Sequence, residues 1–269
     1  MSFGRSDFWG YRGACTITAG GDKIFTQTIV EVPVDPAHAL KSILADVHPA
    51  TSVVPDGAVA RRLFTIRAAD SFGQRSLASI LVNRMYATRG YHTSSLLKSP
   101  DSNRITLIAG EADAVIGTIT IGFDSPQGLL VDELFRAETD ALRHAGRELC
   151  EFTKLAMDSI VKSKRVLASL FHVAYIIAHR LNDFDNLMIE VNPRHVLYYQ
   201  RMLGFEVLGP ERLNQRVNAP AVLLSLDLSH ARREIEEFGG RQDLAAREKS
   251  LYPYFFSPGE EGGIIKRLM

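Results

Sequence analysis

Cysteine is nearly absent from this 269-residue chain: Cys15 and Cys150 are the only two, and they form no CxxC pair. That argues against a disulfide framework and for a reducing compartment. Net charge is absent too, with 31 basic and 31 acidic residues and a pI near 7.1, so no overall attraction to nucleic acid is expected. No apolar run approaches the roughly 18–20 residues that a membrane span needs. The N-terminal stretch MSFGRSDFWGYRG lacks the apolar centre of a signal peptide. These absences together predict a cytoplasmic protein. Motifs are missing as well. No GxGxxG follows a strand, no serine or cysteine sits in a GxSxG elbow, and the eight histidines show no HExxH spacing. No metal site is therefore expected, and His172 and His179 read as hydrogen-bonded core histidines.

What is present is an ordinary globular composition, 46% hydrophobic and 23% charged. Residues 1–60 read as an accessory extension, with a hairpin around Ala19-Gly20-Gly21-Asp22 and a short helix over Pro36–Val47. The main unit is expected over 61–228. It opens with a strand at Leu63–Arg67 and a helix capped by Asp70 or Ser71, with Leu77, Ile80, Leu81, Arg84 and Met85 at helical spacing. A hairpin follows, Ile105–Ala109 and Ala114–Phe123, then a helix over Val131–His144. Arg147–Asp158 reads as a strand, and Val166–Leu181 as a helix apolar nearly all round, hence buried. Beyond Ala221–Leu228, the segment 229–269 reads as a charged helix from His230 to about Lys249, capped by Ser229, and an aromatic tail, Tyr252–Phe256.

The stretch Asn186–Leu208 organises the rest. Leu187–Val191 is a short β-rich run, Asn192-Pro193 turns it into a helix over His195–Leu203, and Gly204 stops that helix before Phe205 opens another strand. This valine–Asn–Tyr–Gly-Phe pattern resembles the C-terminal half of the GNAT superfamily of N-acetyltransferases. Taken with RELCEFTKLAMD at Arg147–Asp158, it resembles more specifically the bacterial long-chain N-acyl amino acid synthases, which are similar to acyl-homoserine-lactone autoinducer synthases. The resemblance implies a mixed α/β sheet of GNAT type over about 62–228.

It also implies roles. On the central strand the family carries a Glu, then Ser or Thr, then a basic residue, matched here by Glu151, Thr153 and Lys154. Glu151 is the implied proton acceptor, or else a structural ion-pair member, and Glu148 is the second candidate. Strand alternation sets Glu151 and Thr153 on one face and Lys154 on the other, with Cys150 and Phe152. Lys154 stands where Arg is usual and offers one contact instead of a two-pronged one. Tyr199 lies where the superfamily often places the acid that protonates the leaving sulfur. One extra residue before Gly204 turns it by about 100°, so Tyr198 or a helical bulge is the alternative.

CoA-dependent members hold pyrophosphate in a glycine-rich loop after the central strand. Here Asp158–Arg165, DSIVKSKR, has no glycine. Lys162, Lys164 and Arg165 instead read as holding the single phosphate of an acyl-phosphopantetheine arm on an acyl carrier protein, or as a solvated charge run. Phe152 and Phe171, with Leu155, Leu167, Leu170, Ala174 and Ile177, are the candidate acyl slot, and Arg84, Arg89 and Tyr91 the candidate contacts for substrate carboxylate or carrier. The aromatic tail reads as a hydrophobic plug, a membrane-surface contact being the other reading.

The expected function is transfer of a medium or long acyl group from a carrier-protein thioester to the α-amine of an amino acid, with no tightly bound cofactor and acyl-CoA as the other donor. A CoA-dependent acetyltransferase and a non-catalytic acyl- or carrier-binding module are the rivals.

Overall fold

The computed structural model describes residues 28–33, 63–88, 90–91, 103–158 and 163–269. The hairpin and helix expected within 1–60 lie outside these, as do Arg89 and Lys162. Among the described residues, eight strands form one sheet in the order β1-β2-β3-β4-β5-β6-β8-β7. They are β1 (Val30–Pro33), β2 (Leu63–Ala68), β3 (Arg104–Glu111), β4 (Ala114–Phe123), β5 (Leu149–Met157), β6 (Asn186–Val191), β7 (Glu206–Asn214) and β8 (Ala219–Asp227). Every pairing is antiparallel except β5 with β6. That parallel contact spans only Leu149–Glu151 against Asn186–Met188. Beyond it the two strands part, which opens a gap in the middle of the sheet.

Helices α1 (Phe72–Ala87) and α2 (Asp132–His144) cover one face. The other is covered by α3 (Lys164–Tyr175), α4 (Val196–Leu203), α5 (Leu228–Phe238) and α6 (Pro258–Leu268), around the larger core. Ser71 caps α1 and Ser163 caps α3 with their side-chain oxygens. In α3 every residue from Arg165 to Tyr175 is buried, because the sheet lies on one side and the C-terminal segment on the other. A five-residue π-turn, Ile176–Arg180, continues it. Gly204, at φ +78°, ends α4 in the left-handed conformation that glycine adopts without steric cost.

Three expectations need correction. The buried stripe of α1 is Ala78, Leu81, Val82 and Met85, while Leu77 and Ile80 are exposed. Asp227, not Ser229, caps α5, which stops at Phe238 before Gly239-Gly240 instead of reaching Lys249. No separate helix is expected beyond the aromatic tail, yet Ser257 and Glu260 form a reciprocal capping box, with Pro258 in the first turn, that starts α6.

The aromatic tail folds back on α3 and is buried throughout, leaving no ring for a membrane surface. The Phe256 N–H donates to His172 Nδ1 at 2.9 Å, and the His172 ring stacks on Phe255 at 5.0 Å. Nδ1 accepts only when unprotonated. Burial depresses the His172 pKa, against the pull of Glu261, whose carboxylate stands 3.7 Å from Nε2, beyond hydrogen-bond reach. The remaining charges facing the ring are Arg165 and Glu260. A histidine with a lowered native pKa contributes stability above its unfolded value of about 6.5, lost as pH falls toward the native value. The melting temperature is thus expected to fall on acidification from neutrality. In His172→Gln, which keeps an acceptor and removes the titration, melting curves against pH should be flatter across that window.

Candidate active site

A polar stripe crosses the otherwise apolar centre of the sheet on the α1–α2 face. Register aligns Arg104 of β3, Gly122 of β4 and Glu151 of β5 in one row, and Thr106, Thr120 and Thr153 in the next. Glu151 is fully buried. One carboxylate oxygen lies 2.9 Å from an Arg104 guanidinium nitrogen, an ion pair without hydrogen-bond alignment. The other accepts the Val131 backbone N–H at 3.1 Å, from the residue just ahead of α2. Gly122 makes the pairing feasible. A Cβ there would lie 2.8 Å from Glu151 Cγ and 2.9 Å from its Oε1, so any side chain blocks the path from Arg104 across β4.

Next along β5 the ladder is irregular. Thr118 pairs with Ala156 and Thr120 with Thr153, so Lys154 and Leu155 together oppose one residue of β4. This is a β-bulge, with Lys154 at φ +51°. Such a bulge leaves one residue's backbone groups outside the ladder. It also overturns the simple alternation expected for Lys154. After the bulge Ala156 packs with α1, whereas Leu155 and Met157 pack with the α3 side. The Thr153 and Thr118 hydroxyls are buried here without hydrogen bonds.

Across the gap stands Glu190 of β6, on the same face as Met188 and hence as Glu151, which pairs with Met188. Arg216 donates to both its oxygens, at 2.8 and 3.0 Å, and Asn214 Nδ2 donates to one at 2.5 Å. Burial raises the Glu190 pKa and the Glu151 charge adds to this, against the pull of Arg216. Both carboxylates thus lie on one face of the sheet where β5 and β6 part, Glu151 held by Arg104 and the Val131 amide, Glu190 by Arg216 and Asn214, with burial pushing the Glu190 pKa up.

The family model for the N-acyl amino acid synthase FeeM matches residues 78–227. The chain belongs to the FeeM N-acyl amino acid synthase family. The solved FeeM structure, from uncultured soil microbes, is 30% identical, with a TM-score of 0.57 over 63% of this chain and 93% of that one. The chain is also similar to an acyl-CoA N-acyltransferase from Pseudomonas aeruginosa, 14% identical with a TM-score of 0.43, covering 60% of this chain and 97% of that one. For the AHL synthase LasI the identity is 14% and the TM-score 0.42, covering 61% and 89%. No curated protein matches.

As a FeeM-family member the chain is an N-acyltransferase, and its sheet is mixed, as the resemblance implies. The remaining candidates are placed unevenly. Glu148 is exposed ahead of β5, where its backbone tethers Asp185 and Asn186. Arg84 is exposed, 2.7 Å from Asp158 at the far end of β5. Tyr91 packs on Tyr86 and accepts a hydrogen bond from Arg194, the residue after Pro193, at 3.1 Å. In α4 no bulge restores the usual phase. Tyr199 packs edge-on against Phe205, while the Tyr198 hydroxyl is buried with no hydrogen bond and burial raises its pKa.

Arg165 departs most from expectation in this FeeM-family chain. It is turned inward, donating to the Tyr254 and Phe255 carbonyls at 2.7 and 3.1 Å and lying over the Phe256 ring. Its second helical position aims it at the tail, so it serves as a clamp there and offers no cation to a phosphate. Lys164 lies over the Tyr254 ring. Phe152 and Phe171 are buried on the α3 side, 6.2 Å apart.

Arg104, Gly122 and Glu190 escape a reading by motif. The usable signals were a lone glycine in the apolar run ITIGF and a lone acid in LMIEV.

Proposed function

We propose that this chain joins a medium- or long-chain acyl group, delivered as an acyl carrier protein thioester, to the α-amine of an amino acid. The amine nitrogen attacks the thioester carbonyl, the C–S bond breaks, and the thiolate leaves. Glu151, directly or through a water, accepts the proton the amine loses. The Tyr198 hydroxyl, buried beside the Tyr199 ring, supplies a proton to the sulfur. Glu190 and Arg216 carry charges complementary to the ammonium and carboxylate of a free amino acid. Arg84, Arg89 and Tyr91 remain the proposed contacts for substrate carboxylate or carrier, and Lys154 a proposed substrate contact from the central strand.

The observation that carries this reading is Glu151, buried and charge-paired where β5 and β6 part. Preference for a carrier protein over CoA rests on the glycine-free segment Asp158–Arg165, since a pyrophosphate cradle requires close backbone approach. The test incubates purified protein with amino acids and, separately, acyl carrier thioester, acyl-CoA or acetyl-CoA, with products read by mass spectrometry. An N-acyl amino acid from the carrier thioester is expected. Turnover of acetyl-CoA alone supports the acetyltransferase, and carrier binding without an amide supports the binding module.

A further inference from the structure

Behind Phe152 and Phe171, on the α3 side of the gap, lies a cavity of about 20 Å³, lined by apolar side chains. It has room for roughly one water but offers it no polar partner, so it is dry. Its far wall is not family core. The family model ends at residue 227, whereas Leu228, Ile235, Tyr252 and Phe255 close the cavity. This wall is pinned. The Tyr252 hydroxyl donates to the Leu203 carbonyl at 2.7 Å, Arg165 holds the Tyr254 and Phe255 carbonyls, and His172 holds the Phe256 N–H.

We infer that the C-terminal segment forms the floor of the acyl pocket and sets the longest chain the enzyme accepts. This rests on the proposed acyl transfer. A chain entering beside Glu151 and passing Phe152 meets first the cavity and then a floor fixed by backbone hydrogen bonds. Each methylene that reaches apolar cover gains about fourfold in binding, whereas one driven against a fixed wall gains nothing. The floor therefore imposes a sharp upper limit.

The test supplies wild-type protein and variants with a mixture of medium- and long-chain acyl carrier thioesters and an amino acid pool. Phe255→Leu lowers the floor and should shift products to longer chains, about fourfold per methylene newly accommodated. Ala231→Leu, from α5, fills the cavity and should shift them shorter. Leu268→Ala is equally a core truncation, but Leu268 does not line the cavity, so it should leave the distribution unchanged. If Phe255→Leu does not fold, Ile235→Val carries the same prediction with a smaller shift. N-acyl products whose chain lengths stay the same in the lowered and filled variants overturn the floor and leave the acyl transfer standing. Absence of any N-acyl product from the wild type overturns the acyl transfer itself.

Discussion

Glu151→Gln is expected to lower amide formation by about 10²–10⁴-fold, the usual contribution of a positioned proton acceptor, in a protein that still folds. The amide side chain matches the carboxylate in size and retains an oxygen for the Val131 N–H that Glu151 accepts at 3.1 Å. What it loses is the charge and the ability to take a proton. Single-turnover measurement with a pre-bound acyl thioester separates this from weakened binding. Unchanged turnover removes Glu151 from the chemistry. Glu190→Gln provides the contrast. On the proposed role Glu190 must be ionised to hold an ammonium, so kcat/KM is expected to rise with pH through its pKa, which burial moves upward. If it serves the acceptor, its replacement weakens amino acid binding and displaces that acid limb, with a smaller loss of kcat than at Glu151.

Arg104→Ala is expected to destabilise the fold by about 3–5 kcal/mol, because it strands the Glu151 carboxylate without its cation. The guanidinium is one-fifth exposed and the carboxylate not at all, so solvent cannot take over the pairing. At this chain length the melting temperature should fall by about 10 °C. A double variant, Arg104→Ala with Glu151→Gln, discriminates the cause. Neutralising the stranded acid should recover much of the loss, whereas simple addition of the two effects would mean that the pair is not coupled.

The sheet and most helices were legible because their signals are local. The run LMIEV, the Asn-Pro turn and Gly204 mark the strand–helix–strand unit without reference to anything distant. The site was only half legible for the opposite reason. Glu151 could be picked from its own strand, but its partner Arg104 lies on β3 and reaches it over Gly122 of β4, a relation of register that no single stretch contains. Alternation misplaced Lys154 since a bulge depends on the neighbouring strand. Arg165 misled for a similar reason: a basic run at a helix start looks solvated until the tail, 89 residues later, folds over it.

The shortness of the parallel contact between β5 and β6 has a consequence for how safely the protein keeps its backbone available. An unpaired strand border normally recruits foreign strands and seeds aggregates. Here the border that β6 turns toward β5 beyond Met188 sits in the interior of an eight-stranded sheet, roofed by helices above and below. Another folded copy of the chain therefore cannot pair with it.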